Sequence, residues 1–344
     1  MKILYAIQGT GNGHLSRARD VYPALLKYGT VDVLVSGIQA DVVADFPVKY
    51  KFYGMSFIFG NKGGVSILDT LRKTNIGQLR RDIKSLDVKQ YDLVINDFEP
   101  VSAWACKKRK VPCISLSHQC AVINPKSPKP DFKDPIGTWV LRYYAPVTAA
   151  FGFHFRTYAK NIFTPVIRKE IRALNPVDNG HYTVYLPSYD DETLLQHLSH
   201  FNNVTWQVFS KHNKAPFTTG NVHIVPIEND AFIKSLETCT GVLCGAGFEG
   251  PAEAMYLGKK LMVIPMDGQY EQHCNAEAVK EMGVPVIKHL GRKYYDKIKW
   301  WLINDSRVAV NYPDNIADVV AKVIEKHGPG AALKTVEVKT KATL

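Results

Sequence analysis

Long apolar runs are missing from this chain of 344 residues, and no 18-residue apolar span occurs anywhere, so a transmembrane helix is not expected. The amino end has no charged region before such a span, so a secretory leader is not expected either. Cysteine is scarce. Cys106, Cys113, Cys120, Cys239, Cys244 and Cys274 form no Cys-x-x-Cys pair, which argues against zinc ribbons and dithiol redox chemistry. Cys106, Cys113 and Cys244 sit in or beside apolar runs and read as buried thiols. The eleven histidines contain no His-Glu-x-x-His or similar cluster, so no metal is expected. No Gly-x-x-x-x-Gly-Lys-Ser/Thr loop is present. The glycines at 9, 11 and 13 miss the dinucleotide fingerprint by one residue, with His14 where a close-packing glycine belongs, and this disfavours a nicotinamide cofactor. The chain is basic, with a formal charge of +11, yet it lacks zinc-finger spacing and RNP-like aromatics, so nucleic acid is not the expected partner. From these absences a reducing, cytoplasmic compartment is expected.

What is present is alternation. Strand-like apolar runs occupy 2–7, 31–36, 92–96 and 112–116, then 182–186, 204–209, 222–225, 241–244, 261–265 and 285–287, with helical spacing between them. That order predicts an α/β protein with doubly wound parallel sheets. The length suits two domains, and 46% apolar residues can fill two cores. The expected division is 1–165 and 166–327, broken near Phe163-Thr164-Pro165 where the pre-proline restriction acts. Residues 314–327 read as an amphipathic helix with Ile316, Val319, Val320 and Val323 on one side, and 328–344 as a loose tail.

The most informative stretch is 241–276. The apolar run Val242-Leu243-Cys244 leads into Gly245-Ala246-Gly247 and Phe248, and then into a helix. Glycines let the backbone approach a ligand, and the first unpaired N–H groups of a helix suit a phosphate. Glu253 lies six residues past Gly247. A second strand, 261–265, feeds a polar loop with Gln269, Glu271, Gln272 and Asn275. An anion cradle, a carboxylate and a cluster of amides together match a sugar nucleotide: diphosphate, ribose diol and sugar hydroxyls. A glycine turn that merely packs tightly is the competing reading. At the amino end the strand 2–7 is followed by Gly11, Asn12, Gly13 and His14, which places an imidazole at the carboxyl edge of the sheet, where open α/β folds bind ligands. A neutral imidazole there can accept a proton near pH 7, though a capping or structural histidine has the same sequence. Asp97 closes the strand 92–96, and Glu99 follows it. Asp97 reads equally as an active carboxylate and as the N-cap of the next helix. His118, after the strand 112–116, is a further lining candidate.

These blocks resemble the GT-B glycosyltransferases, in particular the group around the bacterial N-acetylglucosaminyltransferase of the peptidoglycan lipid precursor. Plant and animal UDP-glycosyltransferases share a looser version. The resemblance implies two Rossmann-like domains facing across a cleft, an amino domain for the acceptor and a carboxyl domain for the nucleotide sugar, with a late helix crossing back. It implies that Glu253 binds the ribose of UDP, that the Gln269, Glu271, Gln272 and Asn275 segment reads the sugar, and that His14 is the base oriented by Asp97, with Glu99 in reserve. Gly11, Asn12, Gly13 and His118 then belong to the acceptor side. The chain departs from its relatives at Phe248-Glu249-Gly250-Pro251, where they carry small or hydroxylated residues. The expected reaction is inverting transfer of a hexosyl or N-acetylhexosaminyl group from a nucleoside-diphosphate sugar to a hydroxyl, with no cofactor. A lipid-linked or cell-envelope acceptor is the form the resemblance suggests. A nonhydrolysing sugar-nucleotide epimerase and a catalytically silent sugar-nucleotide-binding protein are the alternatives.

Residues 1–165 hold 23 Lys and Arg against 12 Asp and Glu, while the remainder holds 20 of each. The whole surplus belongs to the amino half, with clusters at Arg72-Lys73, Arg80-Arg81 and Lys107-Lys108-Arg109-Lys110 beside the apolar, glycine-studded segment 57–65. An anionic membrane surface on its inner face is the partner this suggests, a solvated basic face being the other reading.

Overall fold

The computed structural model describes residues 1–10, 12–37, 44–54 and 75–329. Gly11, the side chain of Asn12, the segment 57–65 and Arg72-Lys73 lie outside the described residues. The apolar runs of the amino half form one parallel sheet of seven strands: β1 (Lys2–Gln8), β2 (Thr30–Ser36), β3 (Tyr50–Phe52), β4 (Leu93–Asp97), β5 (Ile114–Ser117), β6 (Ala149–Phe153) and β7 (Ile162–Phe163). Their spatial order is β3-β2-β1-β4-β5-β6-β7. The helices between them are α1 (Asn12–Leu26), α2 (Ile76–Ser85), α3 (Pro100–Arg109), α4 (His118–Val122) and α5 (Pro135–Tyr143). Six of the seven residues of β1 are buried and all five of β4 are, as helices on both faces of a parallel sheet require.

A second sheet follows α6 (Lys169–Arg172). It contains β8 (His181–Tyr185), β9 (Thr205–Ser210), β10 (Phe217–Thr219), β11 (Val222–Pro226), β12 (Gly241–Gly245) and β13 (Lys260–Ile264), ordered β10-β11-β9-β8-β12-β13. Among the described residues only β10 runs antiparallel, and it is an exposed edge. Its helices are α7 (Asp191–Leu198), α8 (Asn229–Thr238), α9 (Glu249–Tyr256), α10 (Tyr270–Glu281), α11 (Tyr295–Ile303) and α12 (Ile316–His327). The apolar side of α12, with Ile316, Val319, Val320 and Val323 buried, meets α1. Cys106, Cys113 and Cys244 are buried free thiols as expected.

Three expectations change. The run 285–287 is no strand, since only Val286 bridges, to Val263. The polar loop ends at Gln269: Tyr270 begins a helix, so Glu271, Gln272 and Asn275 sit on α10, whose buried Cys274, Ala278 and Val279 supply its apolar side. β6 is a strand the pattern did not reveal, because Gly152 interrupts it. A Cβ at Gly152 would fall 2.8 Å from that of Ala121, so glycine is what lets α4 lie against this strand.

Candidate active site

Both sheets turn their carboxyl ends toward one cleft. In the first sheet the strand order reverses between β1 and β4, which pair directly with Ile7 opposite Asp97. Ligands of open α/β sheets bind outside such a reversal. In the second sheet β12 and β13 end side by side, Gly245 opposite Ile264. The cleft has a volume of about 360 Å³ and takes lining from both halves, including Gly13, His14, Arg17 and Gln119 from the first and Gly247, Phe248, Glu249, Gln269, Glu271 and Gln272 from the second.

His14 lies in the first turn of α1, and its Nδ1 is 2.8 Å from Asp97 Oδ1. Facing a carboxylate, Nδ1 carries the proton and donates it, which leaves the Nε2 lone pair toward the cleft. There the side-chain amide of Gln119 stands 3.4 Å away and also donates to Glu271 Oε2 at 3.1 Å. Asp97 is fully buried. Burial alone would push its pKa up, but Arg17 and His14 outweigh it and hold the carboxyl below its ordinary value. The Arg17 guanidinium donates to both Asp97 oxygens, Nη2 at 2.8 Å to each and Nε at 3.2 Å to Oδ2.

The turn after Asp97 is tight. Phe98 adopts the left-handed φ of 56°, a strained conformation for a bulky residue, so β4 passes into α3 within two residues. Asn96 straps this turn, donating to the Glu99 carbonyl and to Ser102 Oγ while accepting from the Glu99 N–H. Glu99, not Asp97, caps α3, accepting from the N–H groups of Val101 and Ser102 and from Ser36 Oγ. Burial pushes the Glu99 pKa up against those bonds. The reserve-base role expected of Glu99 is therefore withdrawn: the residue is wholly buried, off the cleft lining, and spends its oxygens on a helix start.

On the other side, Gly245 ends β12 and Ala246 is buried, while a Cβ at Gly247 would meet nothing within 4 Å, so the chain is open to the cleft there. Phe248 stacks on His118 with ring centroids 3.8 Å apart. His118 bridges the halves, its Nδ1 donating to the Phe153 carbonyl at 2.8 Å and its Nε2 lying 2.8 Å from Asn275 Oδ1. Burial pushes the His118 pKa down, against an opposing pull from Glu271. Asn275 is buried and donates to the Ala246 carbonyl, so it pins the glycine turn from behind rather than facing the cleft. Gln272 Nε2 donates to Gln269 Oε1 at 2.7 Å, and both line the cleft. Glu253 is buried and off the cleft lining, its two oxygens held by Arg168 Nε at 2.6 Å and Nη2 at 2.8 Å. Burial pushes the Glu253 pKa up, and Arg168 draws it back.

Arg17, Gln119 and Glu249 are cleft residues the sequence reading passed over. Arg17 had a signal: it is three residues after His14, on the same helical face. Among the described residues no group of three or more His, Cys, Asp or Glu is placed to hold a metal ion, and no helix is long and apolar enough to cross a membrane.

Comparison with curated proteins finds no match. Among solved structures, a glycotransferase of kitacinnamycin is similar at TM-score 0.60 and 12% identity, with 98% of each chain covered. MurG of Acinetobacter baumannii is similar at TM-score 0.54 and 12% identity, covering 99% of each. UGT89C1 of Arabidopsis thaliana, complexed with UDP-L-rhamnose, is similar at TM-score 0.60 and 13% identity, covering 95% of this chain and 94% of that one. At such identities the likeness establishes the fold, which is the GT-B arrangement expected. The model of glycosyl transferase family 1 matches residues 1–298, so the chain belongs to that family and is a glycosyltransferase.

Proposed function

We propose that the protein transfers a hexosyl or N-acetylhexosaminyl group, with inversion, from a UDP-sugar to an acceptor hydroxyl. The observation that carries this reading is the His14–Asp97 pair facing Gly247, Gln269 and Gln272 across one cleft. The diphosphate lies on the turn of Gly245, Ala246, Gly247 and Phe248 at the start of α9, where unpaired N–H groups and the helix dipole favour negative charge. Glu253 takes the ribose diol. Arg168 leaves lone pairs for this, since a carboxylate accepts about four hydrogen bonds and Arg168 uses two. Glu253 is buried off the cleft lining, however, so the reading requires the nucleotide to open a way to it. Gln269, Glu271 and Gln272 read the sugar. The acceptor hydroxyl enters beside Gly13, displaces the Gln119 amide from His14 Nε2, and gives its proton to that nitrogen as its oxygen attacks the anomeric carbon. Asp97 holds the imidazole in the correct tautomer and stabilises the imidazolium that forms. Closure of the cleft keeps out water, the competing nucleophile. The leaving diphosphate finds its countercharge at the helix start.

The test is a thermal-shift panel of UDP-, GDP- and dTDP-sugars. At a hundredfold excess over Kd a bound nucleotide adds about 2.7 kcal/mol of stability, so one family of donors is expected to raise Tm by several degrees over the others. No shift with any nucleotide sugar sinks the donor reading.

The acceptor is proposed to be lipid-linked, and the amino half to rest on an anionic membrane surface. Helix α5 exposes Ile136, Trp139 and Tyr143, spaced three and four apart on one face, with exposed Phe132 before it and Lys133 and Arg142 adjoining in sequence. Trp104 extends the patch: its indole N–H donates to the Tyr144 carbonyl and Lys107 lies over its ring. Apolar rings among cations fit an anionic lipid interface. In flotation, vesicles with phosphatidylglycerol are expected to retain the protein, and Trp139→Ser with Tyr143→Ser to release it. Equal binding to neutral vesicles at moderate salt defeats the idea.

A further inference from the structure

Neither the base nor the ribose contact explains why a buried arginine joins carboxylates from opposite sides of the cleft. The Arg17 side chain is 2% exposed, and its three contacts to Asp97 use Nε and Nη2. Its remaining nitrogen, Nη1, crosses the cleft to Glu249 Oε1. Glu249 is the first residue of α9, which has no side-chain cap, and it follows Gly247 and Phe248 directly. Its carboxylate stands against Gly13, where any Cβ would collide with it. An anion is thus already lodged where the first turn of α1, the start of α9 and a buried cation converge.

The two carboxylates on Arg17 are not equivalent. Asp97 is wholly buried, so removing it would strand a charge away from water. The Glu249 side chain is 26% exposed and can swing into solvent at little cost. Of the two partners, Glu249 is the exchangeable one.

We propose that Arg17 is a donor-diphosphate-binding residue contributed by the acceptor half, and that Glu249 occupies its Nη1 until the diphosphate displaces it. The inference rests on the nucleoside-diphosphate reading of the cleft. The exchange keeps Arg17 paired with Asp97 throughout, so no buried charge is left alone, and it replaces one carboxylate by a group of higher charge. Arg17 then links donor occupancy to the Asp97 that orients His14.

Calorimetry with UDP and with uridine separates the phosphate contact from the rest of the nucleotide, and GDP with guanosine and dTDP with thymidine serve as parallel pairs. Glu249→Gln, which takes the competing negative charge away and leaves only a neutral acceptor, is expected to bind UDP about tenfold more tightly, and Arg17→Gln about tenfold more weakly, the scale of one charge-assisted hydrogen bond. Uridine affinity should not move in either. A Glu249→Gln protein that binds UDP no better than the parent, or gains equally for uridine, overturns the proposal. Should Arg17→Gln fail to fold, Glu249→Gln decides alone, because it leaves the Asp97 contacts in place. If the parent binds none of the three diphosphates, the donor reading has failed before this one is reached.

Discussion

Replacing His14 by alanine is expected to slow sugar transfer about 10²–10⁴-fold, the range for losing a general base, while nucleotide affinity stays where it was. The separation follows from the geometry. Nδ1 is committed to Asp97 at 2.8 Å, and Nε2 opens on the cleft beside the Gln119 amide. No proposed nucleotide contact is made by the imidazole itself, and Arg17, whose Nη2 lies 3.2 Å from Nδ1, keeps its bonds to Asp97 when the ring is removed. Asp97 supports the ring by remaining ionised although buried, which Arg17 and His14 together enforce. Single-turnover transfer measured beside UDP calorimetry checks both halves of the expectation. A loss smaller than tenfold, or an equal loss of UDP affinity, removes His14 as the base.

How much of this was legible depends on the range over which each contact acts. β1, β4, β12 and β13 announced themselves because strands buried on both faces are nearly continuous apolar runs, whereas β3, β7 and β10 are edge or two-to-three-residue pairings with no such run. The start of α10 was hidden by its own chemistry: glutamines and a glutamate suggested a ligand loop, yet Cys274, Ala278 and Val279 already had helical spacing. Glu99 carried the opposite lesson. An acidic residue immediately before proline is a helix-start signature, and that is the work it does. The pairing of His14 with Asp97 was implied by the family resemblance, and the pairing of β1 with β4 is what brings the two together. For Arg17 only its helical register with His14 was open to view, since Asp97 and Glu249 lie 80 and 232 residues away and no local period encodes either.

The second large effect is expected at Glu253, where the proposed ribose contact and the fold draw on one carboxylate. Glu253→Ala leaves Arg168 with its buried partner gone, and losing one member of a buried pair costs about 3–5 kcal/mol. Arg168 keeps Glu170 and Asn229 as neighbours, so the lower end applies. Burial pushes the Glu253 pKa up and Arg168 draws it back, and replacing a buried ion pair by apolar side chains is often neutral for stability. It follows that Arg168→Met placed on Glu253→Ala, with apolar volume where the guanidinium was, should recover most of the lost stability in urea titrations. Nucleotide binding should not recover with it, because the ribose partner is still absent. The double variant thereby separates the two roles: stability restored with UDP affinity still lost assigns Glu253 to the donor, whereas a stable double variant that binds UDP as the parent does leaves the Glu253–Arg168 pair a purely structural tie between the segment after β7 and α9.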